Sequence, residues 1–266
     1  MRLHPRNDAF EWRQPMAPFR RIAVAQAEAF GRDGAFVLQD AFTADEVAAV
    51  AAAIDPFEAE TEAFLATRPG GRHGIARARE ITFRPHLVAA SPDLRAFSRH
   101  PVFADLAHDL IGPDVRLYWD QSVYKKPEAD QEFPWHQDNG YTYVEPQQYL
   151  TCWVALTDAT VDNGCPWIVP GGHFAGTLEH EWTPLGFRCF VDPPKAVPLE
   201  LNAGSIAVFS SLTPHRTGPN RTDGVRKAYI LQYAPDGATM YRANGEAAAC
   251  DAPERQYSIL IGGASV

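Results

Sequence analysis

The sequence predicts a mainly β fold with helices in front of it, an α+β chain built on a sandwich or barrel. Helical texture is confined to the first 112 residues, and from Val115 onward short β-type runs alternate with turn signals. Helices first and strands afterward argue against a doubly wound parallel sheet, where the two alternate. The 266 residues are 45% hydrophobic and 21% charged, which supplies a real core and excludes a disordered or fibrous chain. All-β units often exceed 200 residues, so one domain over 1–266 is expected: a mostly helical part over 1–112, a β core over 113–235 and a tail over 236–266.

Along the chain, the Ala-rich stretch from Arg20 to Phe30 reads as a helix closed by Gly31 and Gly34, and Ala35 to Leu38 as a short strand. Thr43 and Glu46 form a capping box, with Phe42 and Val47 as its hydrophobic staple. The helix they open carries Val47, Val50, Ala51 and Ile54 on one face and runs toward Thr67, before Pro69-Gly70-Gly71. Glu80 to Phe83 reads as a strand, and Ser91-Pro92-Asp93 as a helix entry with Pro at the first position. Pro101 to Ile111 is a helix with Phe103, Leu106, Ala107 and Leu110 on its apolar face, stopped by Gly112-Pro113. Strands follow at Val115–Lys125, Tyr149–Thr157, Trp167–Val169, Phe187–Val191, Ser205–Ser210 and Lys227–Tyr233, punctuated by Asn139-Gly140, Asn163-Gly164 and Pro170-Gly171-Gly172.

Lys and Arg total 24 against 33 Asp and Glu, a formal net charge of −9. Such a chain has no bulk attraction for nucleic acid or an anionic membrane, and the expected partner is a small molecule. The four cysteines form no CxxC pair, and the N-terminus carries no apolar signal region; both fit a cytoplasmic protein. Oligomeric state is not legible.

The chemistry concentrates in Trp135-His136-Gln137-Asp138-Asn139-Gly140-Tyr141. On an extended strand, residues two apart face the same way, so His136 and Asp138 can reach one metal. His215, after the apolar strand Ser205–Ser210, is the candidate for a second imidazole. Two His and one carboxylate make the facial triad of non-haem Fe(II) oxygenases, with positions left open. Eleven residues after His215 stands Arg226, and a buried Arg there needs an anion such as a carboxylate. A zinc hydrolase, or a cupin-like metal- or sugar-binding module without redox chemistry, could use the same three ligands. Neither needs the arginine.

Trp135-His136-Gln137-Asp138, Asp162-Asn163-Gly164-Cys165 with Val169-Pro170-Gly171-Gly172-His173, His215-Arg216-Thr217-Gly218-Pro219-Asn220 and Arg226-Lys227-Ala228 together resemble the phytanoyl-CoA dioxygenase family over roughly residues 30 to 235. The resemblance implies a double-stranded β-helix, the cupin-like jelly roll, with the N-terminal helices packed outside. It implies Fe(II), with 2-oxoglutarate and O2 as cosubstrates, and hydroxylation of an unactivated C–H bond with release of succinate and CO2. Desaturation, ring formation and epimerisation belong to the same chemistry. By resemblance, His136, Asp138 and His215 hold the metal, Arg226 and Thr217 bind the distal carboxylate of 2-oxoglutarate, and Trp153 lines its pocket. Tyr124 is a further candidate for a hydrogen bond to that cosubstrate. His173 is expected to shape the site without ligating. Gln137, Tyr141 and Arg79 are candidate substrate contacts, with Phe83 and Trp167 behind them. The long signature of ectoine hydroxylases around the His-x-Asp pair is absent. The retained Asp138 favours hydroxylation over halogenation, which needs a small residue at that ligand position.

Overall fold

The computed structural model describes residues 2–193, 195–242 and 244–266. Five helices lie in the first 110 residues: α1 Val24–Asp33, α2 Ala44–Ala66, α3 Leu87–Ala90, α4 Pro92–Phe97 and α5 Pro101–Leu110. The sequence signals explain their ends. Glu46 N–H donates to the Thr43 hydroxyl at 3.3 Å, and Thr43 N–H donates to the Glu46 carboxylate at 2.8 Å, so the capping box satisfies two donors at the start of α2. Ser91 caps α4 by accepting from Leu94 N–H, and Pro stands at the first position of both α4 and α5. Gly34, at φ 79°, closes α1 in the left-handed region that favours glycine. That helix begins four residues and ends three residues later than its composition suggests, because Asp109 holds the preceding segment in a loop by accepting from the backbone N–H groups of Arg20, Arg21 and Ile22.

The helices cover one face of a ten-stranded antiparallel sheet. Its path runs through strands 35–38, 206–210, 150–155, 226–235, 115–125, 81–85, 76–77 and 72–73. The outer face meets the helices in one apolar cluster. Tyr124, Cys152, Val154, Val208, Tyr229 and Tyr233 of the sheet pack with Phe30, Ile54, Leu94, Phe103 and Leu106 of the helices. Each fully buried side chain of this size contributes about 1.5–3 kcal/mol. The inner face carries a second cluster, including Val123, Trp153, Phe209, Ala228 and Ile230, which also takes in Ile168 of an opposing four-stranded sheet. That smaller sheet orders strands 197–198, 166–168, 215–217 and 133–136. Two antiparallel sheets with an apolar interior and helices on one outer face make a jelly roll. Leu150–Ala155 is buried at every residue, since both of its faces are covered. The stretch expected as a tail instead supplies Ser258–Ile261, which pairs with Val115–Lys125.

On the outer face, Asp120 is fully buried, accepting from the Tyr229 hydroxyl at 2.9 Å and the Val88 N–H at 3.2 Å while its Oδ1 has no partner among the described residues. Burial raises its carboxyl to about 6. A carboxyl that binds its proton more tightly folded than unfolded makes stability fall as pH rises from about 4 through 6. Asp120→Asn should therefore flatten the decline in melting temperature between pH 5 and 7.5, where the wild type loses roughly 1–1.5 kcal/mol from this group. Melting curves of both proteins across that range check it.

Candidate active site

The smaller sheet assembles the site. Strand His215–Thr217 lies between Phe133–His136 and Pro166–Ile168, and its register sets His215 directly opposite His136. Asp138 is not on an extended strand with His136: the strand ends at His136, and Asp138 opens a one-turn 3₁₀ helix through Gly140. The turn still brings its carboxylate to both rings. Asp138 Oδ1 lies 3.8 Å from His136 Nε2 and 3.7 Å from His215 Nε2, and the two ring centroids are 4.0 Å apart.

Backbone carbonyls fix which ring nitrogens are free. His136 Nδ1 lies 2.8 Å from Pro134 O, and His215 Nδ1 lies 3.0 Å from Thr213 O. A carbonyl only accepts, so each Nδ1 carries the proton and each Nε2 keeps its lone pair. Burial and the neighbouring His215 hold His136 well below the ordinary imidazole range, which leaves it neutral as a metal requires. The other oxygen of Asp138 accepts from the Thr151 hydroxyl at 2.6 Å. One carboxylate oxygen and two imidazole nitrogens thus converge, each held from behind, and among the described residues they form the one His/Cys/Asp/Glu group able to hold an ion. Thr151→Val should lower Fe(II) affinity about 10- to 100-fold, the usual cost of losing such a supporting partner, and a Co(II) titration followed by absorbance checks it.

Arg226 begins the strand Arg226–Pro235, opposite Lys125. Its side chain is 1% exposed, and Nε and both terminal nitrogens have no partner among the described residues. The guanidinium lies 5.1 Å from the centre of the Trp153 ring, and burial pushes its pKa down to about 9. A buried cation with every donor free is costly unless an anion meets it. Phe209, in the same inner cluster as Trp153, touches the His215 ring with centroids 4.5 Å apart. Thr217 is buried two residues beyond His215, and its carbonyl accepts from Lys125 Nζ at 3.1 Å; the Gly218 carbonyl accepts from the same nitrogen.

A cavity of about 280 Å³ opens beside His136 and Asp138. Tyr141 and Phe83 line it, and the Tyr141 hydroxyl accepts from Phe187 N–H at 3.1 Å. The other expected contacts lie elsewhere. Gln137 points opposite to its neighbours and is fully buried, donating to Gly176 O and Leu212 O and accepting from Leu178 N–H. Arg79 sits in a turn at φ 64°, its backbone N–H donating to Glu62, and is not among the residues lining the cavity. Tyr124 faces α2, where its hydroxyl donates to Asp55 at 2.8 Å; strand alternation puts it on the helix side of the sheet, away from Arg226. Trp167 stacks near the Arg216 guanidinium. His173 is fully buried, packed edge-on against Trp12 with centroids 4.3 Å apart, and outside the ligand group. Thr151 and Lys125 went unread in the sequence. Thr151 shares a face with Trp153, a usable signal, whereas Lys125 looks like one of a surface Lys-Lys pair.

A jelly roll thus brings two imidazoles and one carboxylate to one point, the donor set of a facial triad, and sets in the same interior an arginine with no partner among the described residues. The chain belongs to the phytanoyl-CoA dioxygenase family, whose model, Phytanoyl-CoA dioxygenase (PhyH), matches residues 30–228. A probable phytanoyl-CoA dioxygenase of Caenorhabditis elegans is 28% identical over 58% of this chain and 54% of its own length. The chain thus spans about half of that relative. An ectoine dioxygenase of Bordetella bronchiseptica is 30% identical over 80% of this chain and 75% of its own length. Among solved structures, the epimerase SnoN in complex with Fe3+, alpha ketoglutarate and nogalamycin RO superposes with a TM-score of 0.64 at 26% identity, covering 84% of this chain and 86% of that one. Among the described residues, no helix is long and apolar enough to cross a membrane.

Proposed function

We propose that this protein is an Fe(II)- and 2-oxoglutarate-dependent dioxygenase that hydroxylates an unactivated C–H bond of a small-molecule metabolite, releasing succinate and CO2. The observation that carries the reading is Arg226, a fully buried guanidinium whose three nitrogens have no partner among the described residues, in the interior that also holds the triad. A zinc hydrolase or a binding module has no use for such a clamp, whereas a dicarboxylate cosubstrate meets it with two parallel charge-assisted bonds. The donors fit the metal as well, with both Nε2 atoms deprotonated and one oxygen of Asp138 free. Once bound, Fe(II) and 2-oxoglutarate supply the oxidising power by coupling O2 reduction to oxidative decarboxylation.

The chain's own residues do the positioning. Pro134 O and Thr213 O orient the imidazoles, Thr151 orients Asp138, and Arg226 with Thr217 anchors the cosubstrate's far end. Trp153 and Phe209 keep water from that anchor. Asp138 supports hydroxylation, since the carboxylate fills the position a halide would take; desaturation, ring closure and epimerisation use the same residues. Four free cysteines support a cytoplasmic setting. The test is anaerobic addition of Fe(II) and 2-oxoglutarate. A weak visible charge-transfer band, followed on aeration by succinate formation coupled to a one-oxygen gain in a substrate panel, is expected. No band under metal saturation would reject the reading.

A further inference from the structure

The lining of the cavity beside the triad sets what an occupant would meet there. Asp138 is the one carboxylate in its lining, and no Lys or Arg among the described residues joins it. Basic side chains on neighbouring strands are occupied: Arg77 pairs with Glu80 at 3.4 Å, Arg84 with Glu60 at 3.4 Å and Arg216 with Glu132 at 2.8 Å. A phosphate or carboxylate entering here would be desolvated with no lysine or arginine of the lining to meet it, and Asp138 either repels it or, once a metal is bound, leaves it only the metal's residual charge. The walls are instead aromatic. Phe133 lies between Phe83 and Tyr141, with ring centroids 5.4 Å and 6.0 Å away, the second pair stacked. Trp119 adds a further ring surface.

Two amides stand in this wall, beside Thr142 and the tyrosines. Gln121 makes no side-chain hydrogen bond to a described residue, and Gln232 donates only a long bond of 3.4 Å to the Thr151 hydroxyl. Each offers a donor and an acceptor to a ligand. The volume, about 280 Å³, sits just under the ~300 Å³ lower end of small-molecule pockets, so it encloses a compact moiety.

We infer that the substrate moiety bound in this cavity is uncharged and ring-bearing, stacks on Phe133 and Tyr141, and presents a hydroxyl or carbonyl oxygen to Gln121 or Gln232. A CoA thioester or a free carboxylate does not fit it. This rests on the oxygenase reading for the identity of the occupant as substrate.

The test uses a matched series on one scaffold: 1-tetralone, tetralin-1-carboxylate and the CoA thioester of that acid. Binding is measured by calorimetry under anaerobic conditions, on the metal-free protein and on the protein loaded with Fe(II) and 2-oxoglutarate. The ketone should bind at least about tenfold more tightly than either charged probe in both forms. Gln121→Leu should weaken the ketone about 2- to 10-fold, the weight of one neutral hydrogen bond. Gln121→Arg should reverse the preference toward the carboxylate; if that variant does not fold, the Leu variant carries the comparison. Equal or tighter binding of the carboxylate or thioester, or no ketone binding at its solubility limit, overturns the inference. If the visible band with Fe(II) and 2-oxoglutarate never forms while the ranking of probes persists, the oxygenase reading falls and the neutral, aromatic cavity stands.

Discussion

His136→Ala and His215→Ala are each expected to lose Fe(II) binding and turnover together, by more than the ~10- to 100-fold that removal of the supporting Thr151 hydroxyl costs. Each variant deletes one of three donors that converge on one point, and the surviving pair cannot hold a labile divalent ion. The fold should survive, because each ring is a terminal branch on a short strand whose backbone pairing is unchanged. Circular dichroism separates folding from function, and a metal titration with succinate detection reads the loss. Near-wild-type succinate formation without excess Fe(II) would place the metal elsewhere, and Asp120 is no refuge for it, since it lies on the helix side of the sheet bonded to Tyr229 and Val88.

Arg226→Ala should weaken 2-oxoglutarate by roughly 30-fold to beyond 1000-fold, from the ~2–5 kcal/mol that loss of one partner of a buried charged pair costs. Substrate affinity should move far less, because the cavity that receives it is lined by other residues. Arg226→Lys should recover only part of the loss, since an ammonium cannot make the planar two-bond fork. Titration of the visible band with 2-oxoglutarate gives the affinity directly. An unchanged value in the Ala variant would move the clamp to Lys125 or Thr217.

Much of this was legible in the sequence because it rests on local rules. The Thr43 and Glu46 cap, the prolines opening α4 and α5, and the run Val115–Lys125 depend only on neighbours in the chain, and each stands where its signal put it. What the sequence could not supply was the choice of face. Alternation along Val115–Lys125 puts Asp120, Ser122 and Tyr124 on one face, but only the packing of α2 against the sheet turns that set outward and leaves Lys125 facing in. Gln137 shows the same limit: lying between two ligands, it must point away from them, and there it ties three backbone segments together. The carbonyls behind the histidines were invisible for another reason, since a main-chain acceptor has no residue type to read.

Lys125 and Arg226 stand opposite each other in register, both buried, and among the described residues Lys125 Nζ bonds only to backbone carbonyls. Burial first and Arg226 second push the Lys125 ammonium well below its ordinary range. Its three donated bonds, to the carbonyls of Gln131, Thr217 and Gly218, use all three hydrogens of an ammonium, so the interior holds two cations in register with each other. A dicarboxylate arriving on the guanidinium offsets the repulsion between them, so the anion also relieves a strain between the two strands that carry them.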